Sequence, residues 1–126
     1  MIAIEINTLP KTPNSIGKAS IWHSVRERKK WRQLLFRPQA TMHRSPVILQ
    51  GQIIPKPLKK AKLTLTRCSS REPDLDNLYS SFKFVIDALK FNGFIEDDKP
   101  SNIDLKCKWE KAKQKEGKIK IEIEEL

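Results

Sequence analysis

Four aspartates stand in two pairs within the stretch REPDLDNLYSSFKFVIDALKFNGFIEDDKP: Asp74 with Asp76, and Asp97 with Asp98. Residues i and i+2 of an extended segment face the same side, whereas in a helix they point well apart. Because Pro73 favours an extended segment, we expect the carboxylates of Asp74 and Asp76 to converge. Asp76 or Asn77 is then expected at the N-cap of the helix that follows.

The second pair follows that helix. A chain reversal at Asn92 and Gly93 would return the segment FIEDD beside the strand that ends at the first pair, so that Asp97 or Asp98 joins it. Three carboxylates at one place repel one another unless a cation lies between them. Hard oxygen ligands suit Mg²⁺ or Mn²⁺. The pattern therefore favours metal-dependent hydrolysis of phosphodiesters.

Lys83 belongs to the polar stripe of the predicted helix. Helical side chains lean toward the N-terminus, so Lys83 is expected to reach toward the first acid pair, where it would neutralise charge on a substrate phosphate. The alternative is an ordinary i, i+4 ion pair with Asp87. The segment DLDNLYSSFKFV does not fit a calcium loop, because it lacks glycine at the sixth position and an acid at the twelfth.

Charge is distributed unevenly along the 126 residues, which carry a net charge of +10. Residues 1–70 hold 14 Lys and Arg against 2 acids, whereas residues 71–126 hold 11 against 13. The excess predicts a polyanionic partner such as nucleic acid, the alternative being a basic protein with no such partner. No apolar run is long enough to span a membrane, and MIAIEI is too short and too acidic for a signal peptide, so a cytoplasmic protein is expected.

Hydrophobic periodicity predicts an α+β fold, with 1–126 as a single domain and two main helices on a mixed sheet in the order β-α-loop-β-α-β-β. The predicted strands are IAIEI, AKLTLTRCS, NIDLKCKWE and GKIKIEIEEL, and the last two are expected to pair as an antiparallel hairpin. The predicted helices cover about 21–36, capped by Ser20 with Val25 on its apolar face, and about 77–91. Between 38 and 60 we expect an irregular connection with one short strand at 47–49.

Cys68 and Cys107 are far apart in sequence and belong to no CxxC motif. Such spacing argues against a zinc site, so both are predicted to be buried free thiols.

Three blocks, DLDNL, KFVIDAL and GFIEDD, occur in an order and spacing that resembles the RusA-like family of Holliday junction resolvases, which are phage-associated endodeoxyribonucleases. The opening strand followed by LPKTPNS is similar as well, more weakly. The resemblance implies a homodimer that uses Mg²⁺ to nick two opposed strands of a four-way DNA junction in recombination and repair. A prophage origin is implied in the same way.

The resemblance also assigns residues. The metal-binding acids of the family fall on Asp74, Asp76 and Asp98, and its active-site lysine falls on Lys83. The spacing between DLDN and KFVIDAL is longer than in the type member by about one helical turn. Alignment from the left block therefore puts Ser80 in the lysine position, and alignment from DAL puts Lys83 there.

Two residues beside the first acid pair, Arg71 and Asn77, are expected to contact phosphate, and Asp97 is expected to support the metal ligands. Two other functions remain open. One is a catalytically inactive basic DNA-binding protein of the same fold, and the other is a nuclease that prefers other branched DNA, such as flaps or replication forks.

Overall fold

The computed structural model describes residues 2–10, 21–35, 47–50 and 57–126. The elements, in chain order, are β1 (Ile2–Ile6), α1 (Ile21–Leu34), β2 (Val47–Gln50), β3 (Ala61–Ser69), α2 (Leu75–Ser81), α3 (Lys83–Phe91), β4 (Ile103–Lys111) and β5 (Lys118–Glu125). The predicted α+β class is confirmed, and so is the short strand near 47–49. The predicted cap Ser20 and most of the predicted connection 38–60 lie outside the described residues.

The described strands form one mixed sheet in the order β2-β1-β5-β3-β4. β3 and β4 are parallel, and the other neighbours are antiparallel. The predicted hairpin of β4 and β5 is wrong, because β3 lies between them. β5 instead takes the centre of the sheet, where its buried Ile119, Ile121 and Ile123 pair on both sides. Residues 112–117 are long enough to cross two strand spacings, which is about 10 Å.

The predicted helix 77–91 is divided in two at Phe82, whose φ of −90° and ψ of 2° interrupt the helix. Its N–H donates to the Tyr79 carbonyl at 3.2 Å, the closer spacing of a 3₁₀ turn. Its ring is fully buried, as are Val85 and Leu89 on the same predicted apolar face. The break therefore lies at a core side chain.

The N-cap of α2 is Asp74, so the prediction of Asp76 or Asn77 at that position is wrong. Asp74 is extended, with φ −60° and ψ 156°, and its carbonyl accepts from the Leu78 N–H at 2.8 Å. The helix starts directly after the proline turn because position 75 is the first that Pro73 does not restrict.

α1 packs along α3. Arg32 donates two hydrogen bonds to the Asp87 carboxylate, at 3.0 and 3.3 Å, and Asn92 donates to the Arg32 carbonyl at 2.9 Å. Val25, expected on the apolar face of α1, is 47% exposed, whereas Glu27 is buried and accepts from the Trp31 indole at 2.9 Å. The buried face of α1 is thus rotated toward Glu27 and Trp31.

The two helices α2 and α3 connect the parallel strands β3 and β4. Parallel neighbours require a crossover that returns the chain to the end of the sheet where the first strand began. The segment after α3 accordingly bridges Ile95 to Leu58, ahead of β3, and the Glu96 N–H donates to the Leu58 carbonyl at 2.9 Å. The acid pairs on either side of this crossover therefore lie at opposite ends of β3.

Both cysteines are buried free thiols, as predicted. Burial raises the pKa of Cys107 to about 12. No helix among the described residues is long and apolar enough to cross a membrane.

Candidate active site and nucleic-acid interface

The first acid pair lies where the chain leaves β3 for α2. Ser69, the last residue of β3, anchors this exit: its hydroxyl donates to the Arg71 carbonyl at 2.8 Å and accepts from the Trp109 indole at 2.9 Å. Asp74 and Asp76 follow, both exposed. A rigid strand end thus presents two carboxylates to solvent.

Asp74 has the residue type that most favours helix capping, yet its side chain makes no capping hydrogen bond. Asp76 lies in the first turn of α2, so the expectation that both carboxylates converge from one extended segment is wrong. Neither forms an ion pair with a residue that the structure describes. In a chain of net charge +10, two aspartates without a basic partner keep their oxygens available for another cation.

The second acid pair has different surroundings. The Lys90 amine lies 3.1 Å from an Asp97 carboxylate oxygen and 3.9 Å from one of Asp98. The Asp98 N–H donates to the Asp97 carboxylate at 2.8 Å, and this bond, with the Lys90 amine, lowers the pKa of Asp97. Asp97 is therefore bound to its own chain, while Asp98 is more exposed and held only loosely by Lys90.

The expected convergence of the two acid pairs within one chain is wrong. Residues 75–91 lie between them and form two nearly consecutive helices, which span about 25 Å at 1.5 Å per residue. The parallel pairing of β3 with β4 leaves Asp74 and Asp76 at one end of β3 and Asp98 at the other. Consistently, the described part of the chain contains no group of three or more His, Cys, Asp or Glu placed to hold a metal ion.

Lys83 is the first residue of α3, and its side chain is exposed. The alternative pairing with Asp87 is not found, because the Asp87 carboxylate is taken by Arg32. Lys83 follows Asp76 by seven residues, about two helical turns or 10 Å along the axis. It is thus the cation of α3 nearest in sequence to the first acid pair.

Arg71 and Asn77 flank the same pair, as the sequence requires. Arg71 is exposed, and Asn77, in the first turns of α2, is half-buried. Both stay predicted phosphate contacts.

Sequence reasoning missed the surface formed by the connection from β4 to β5, which it treated only as a charged turn. In the structure this connection passes the end of β3, and the Ala112 N–H donates to the Ser69 carbonyl at 2.9 Å. It borders a cleft of about 680 Å³ lined by several lysines. The dense lysines of KAKQKEGK were the available signal, but their position depended on the strand order.

Comparison with protein families gives one match: the family model described as Endodeoxyribonuclease RusA covers residues 10–124 of the 126. A comparison with curated proteins found no significant match.

Proposed function

Because the chain belongs to the endodeoxyribonuclease RusA family, we propose that it is a Mg²⁺-dependent endonuclease that resolves four-way DNA junctions by paired nicks. Its setting would be recombination and repair in the cytoplasm. The observation that carries the proposal is the exposed Asp74 and Asp76 pair at the end of β3, which lacks a basic partner among the described residues.

The residues suited to a divalent cation are Asp74 and Asp76 with Asp98, all with exposed carboxylates. These are hard oxygen donors, the kind that Mg²⁺ binds and Mn²⁺ accepts as a substitute. When bound, such an ion supplies an activated water and neutralises charge on the scissile phosphate.

Lys83 acts beside the carboxylates. Its amine forms no ion pair with a described residue, so it is available to bind a phosphate oxygen and to stabilise the charge that grows there during attack. Arg71 and Asn77 would hold the neighbouring phosphates and so align the strand.

The three ligands come together only if two copies of the chain supply them. Asp98 lies about 25 Å from the first pair in its own chain, too far to share an ion. A twofold dimer in which the end bearing Asp74 and Asp76 meets the partner's end bearing Asp98 would form two equal sites. A junction with two symmetric strands to cut requires that number.

Exposed apolar side chains support this arrangement. Leu75 and Tyr79, 70% and 39% exposed, flank Asp76 on α2. Phe91, 62% exposed, lies at the end of α3 that leads to Asp98, and with Val25 it lines a groove of about 520 Å³. An isologous interface would cover both patches in both copies, which a monomer leaves in water.

The decisive experiment incubates end-labelled four-way junctions, and linear duplex of the same sequence, with the protein in Mg²⁺ or in EDTA. We expect symmetric nicks in the junction only when the metal is present. Junction binding without cleavage in any divalent ion would contradict the proposal and identify an inactive DNA-binding protein. Faster cutting of flaps or forks than of four-way junctions would assign the nuclease to another branched substrate.

A further inference from the structure

The connection between β4 and β5 shares an edge of the sheet with the first acid pair. Residue 112 is hydrogen-bonded to Ser69, the residue from which the chain departs toward Asp74. Because β4 is parallel to β3, both strands end at this edge, and β5 begins there opposite Cys68. Whatever binds along this connection therefore lies next to the proposed cutting site.

The cleft beside this connection is strongly basic. Its lining includes four lysines, Lys111, Lys113, Lys115 and Lys118, and a single acid, Glu116. Lys118 is bound to the Glu5 carboxylate at 2.6 Å, a contact that raises the pKa of the lysine. The other three are exposed and form no ion pair with any residue in the described ranges. Three cations are thus left for an external anion.

Local contacts hold these lysines in position. The Glu116 N–H donates to the Lys113 carbonyl at 3.0 Å, which closes the turn. Lys115 has a φ of 70°, a left-handed conformation that costs a residue other than glycine about 1 kcal/mol. A Cβ on Gly117 would come within 2.5 Å of the Leu9 side chain, so only glycine allows this close packing. The cleft is therefore a formed surface with lysine at a position where glycine would be favoured.

We propose that Lys111, Lys113 and Lys115 bind the phosphate backbone of the DNA arm that leaves the cutting site at Asp74 and Asp76. This inference rests on the proposed function, because the arm is that of the branched substrate. Lysines read no base, so the contribution is independent of sequence and sensitive to salt. The three lysines are positioning residues that hold the arm while the aspartates and Lys83 act on the strand.

The test is the salt dependence of junction affinity, measured in EDTA so that no cleavage occurs. The variant changes Lys111, Lys113 and Lys115 to Gln. A control with the same loss of charge changes Lys60, Lys62 and Lys106 to Gln, since these exposed lysines lie on the half of the β3–β4 pair that is remote from the connection. We expect the slope of log affinity against log salt to fall by about 3 in the first variant, roughly 1 for each phosphate contact, and much less in the control.

A third variant with Arg at the same three positions should restore the slope, because it keeps the charge. An unchanged slope in the Gln variant, or an equal fall in the control, would overturn the inference. Cleavage by the unaltered protein in Mg²⁺ reports separately on the proposed function. Cleavage with no role for the lysines would refute this inference alone, and a lysine-dependent slope without cleavage would refute the nuclease alone.

Discussion

At the scale of single residues, the two acid pairs differ in what their carboxylates already bind. Asp97 is engaged by Lys90 and by the Asp98 N–H, so it stabilises the loop after α3. Asp74 and Asp76 are exposed, and neither has a cationic partner in the described ranges. This contrast is the reason for assigning metal binding to the first pair and a supporting role to Asp97.

Asp76→Asn should abolish cleavage and keep binding, because the amide keeps the shape of the side chain but loses the charge that holds a divalent cation. We expect the rate of junction nicking in Mg²⁺ to fall by more than about 100-fold. Junction affinity in EDTA should be unchanged. Asp104→Asn, an exposed aspartate on β4, is the matched control and should cleave normally. Cleavage by the Asp76 variant near the normal rate would refute its role as a ligand.

Lys83→Gln should slow cleavage by roughly 100-fold, the typical effect of removing one donor to a developing oxyanion. The rate of a single turnover in saturating protein measures this step apart from binding. Lys62→Gln removes the same charge from an exposed position on β3 and should leave the rate unchanged. Equal effects of the two substitutions would assign Lys83 to general attraction of DNA.

Asp97→Asn tests the acid-sensitive part of stability. The pKa of Asp97 is lowered in the folded chain by the Asp98 N–H and by Lys90, so its contribution is present above the unfolded value, near pH 4, and is lost as the pH falls through the folded value. The difference in urea midpoint between the normal protein and the variant should therefore be largest at neutral pH and shrink below about pH 4. A difference that grows toward acid pH would contradict this role.

At the scale of elements, the crossover from β3 through α2 and α3 to β4 determines which groups meet. Its length separates the acid pairs, and the interruption at Phe82 allows two short helices to follow the sheet. The Phe82 ring is fully buried between these helices and the core. The position of Lys83 relative to α2 thus depends on how this ring packs.

Phe82→Ala should lower the free energy of unfolding by about 3–5 kcal/mol, since it leaves a cavity at the helix break. Urea unfolding followed by circular dichroism measures the loss. Leu126→Ala, at a position 66% exposed, should change stability by less than about 0.5 kcal/mol. A small effect at Phe82 would show that the break is not anchored by the core.

At the scale of the whole molecule, the question is whether one chain or two build the site. A distance of about 25 Å between the ligands favours two. The dimer also places the apolar patches around Leu75 and Phe91 in contact, so that the same interface provides both association and chemistry.

Mixed dimers test this directly. If each site takes Asp76 from one copy and Asp98 from the other, the Asp76→Asn and Asp98→Asn variants, inactive alone, should regain one functional site when mixed. That site would nick one strand of the junction, visible as a single cut on denaturing gels. Absence of activity in mixtures that exchange subunits would show that each chain builds its own site, and a pair of cuts would contradict the model of shared ligands.

The sequence by itself determined the local features. Alternation at Ile2 to Ile6 and at Ile119 to Ile123 identified β1 and β5, because side chains on opposite faces of a strand differ in burial. The spacing of Leu78, Phe82, Val85 and Leu89 identified the core face of the α2–α3 segment. The blocks DLDNL, KFVIDAL and GFIEDD identified the family.

Only the tertiary structure decided what lies beside what. Periodicity tells which face of a strand is buried but not which strand is its neighbour, so the insertion of β3 between β4 and β5 could not be read from the sequence. The parallel pairing of β3 and β4 then placed Asp98 far from Asp74, and the same insertion carried the lysines of residues 111–115 to the end of β3. Strand pairing is a contact between residues distant in sequence, and it set the geometry of the site.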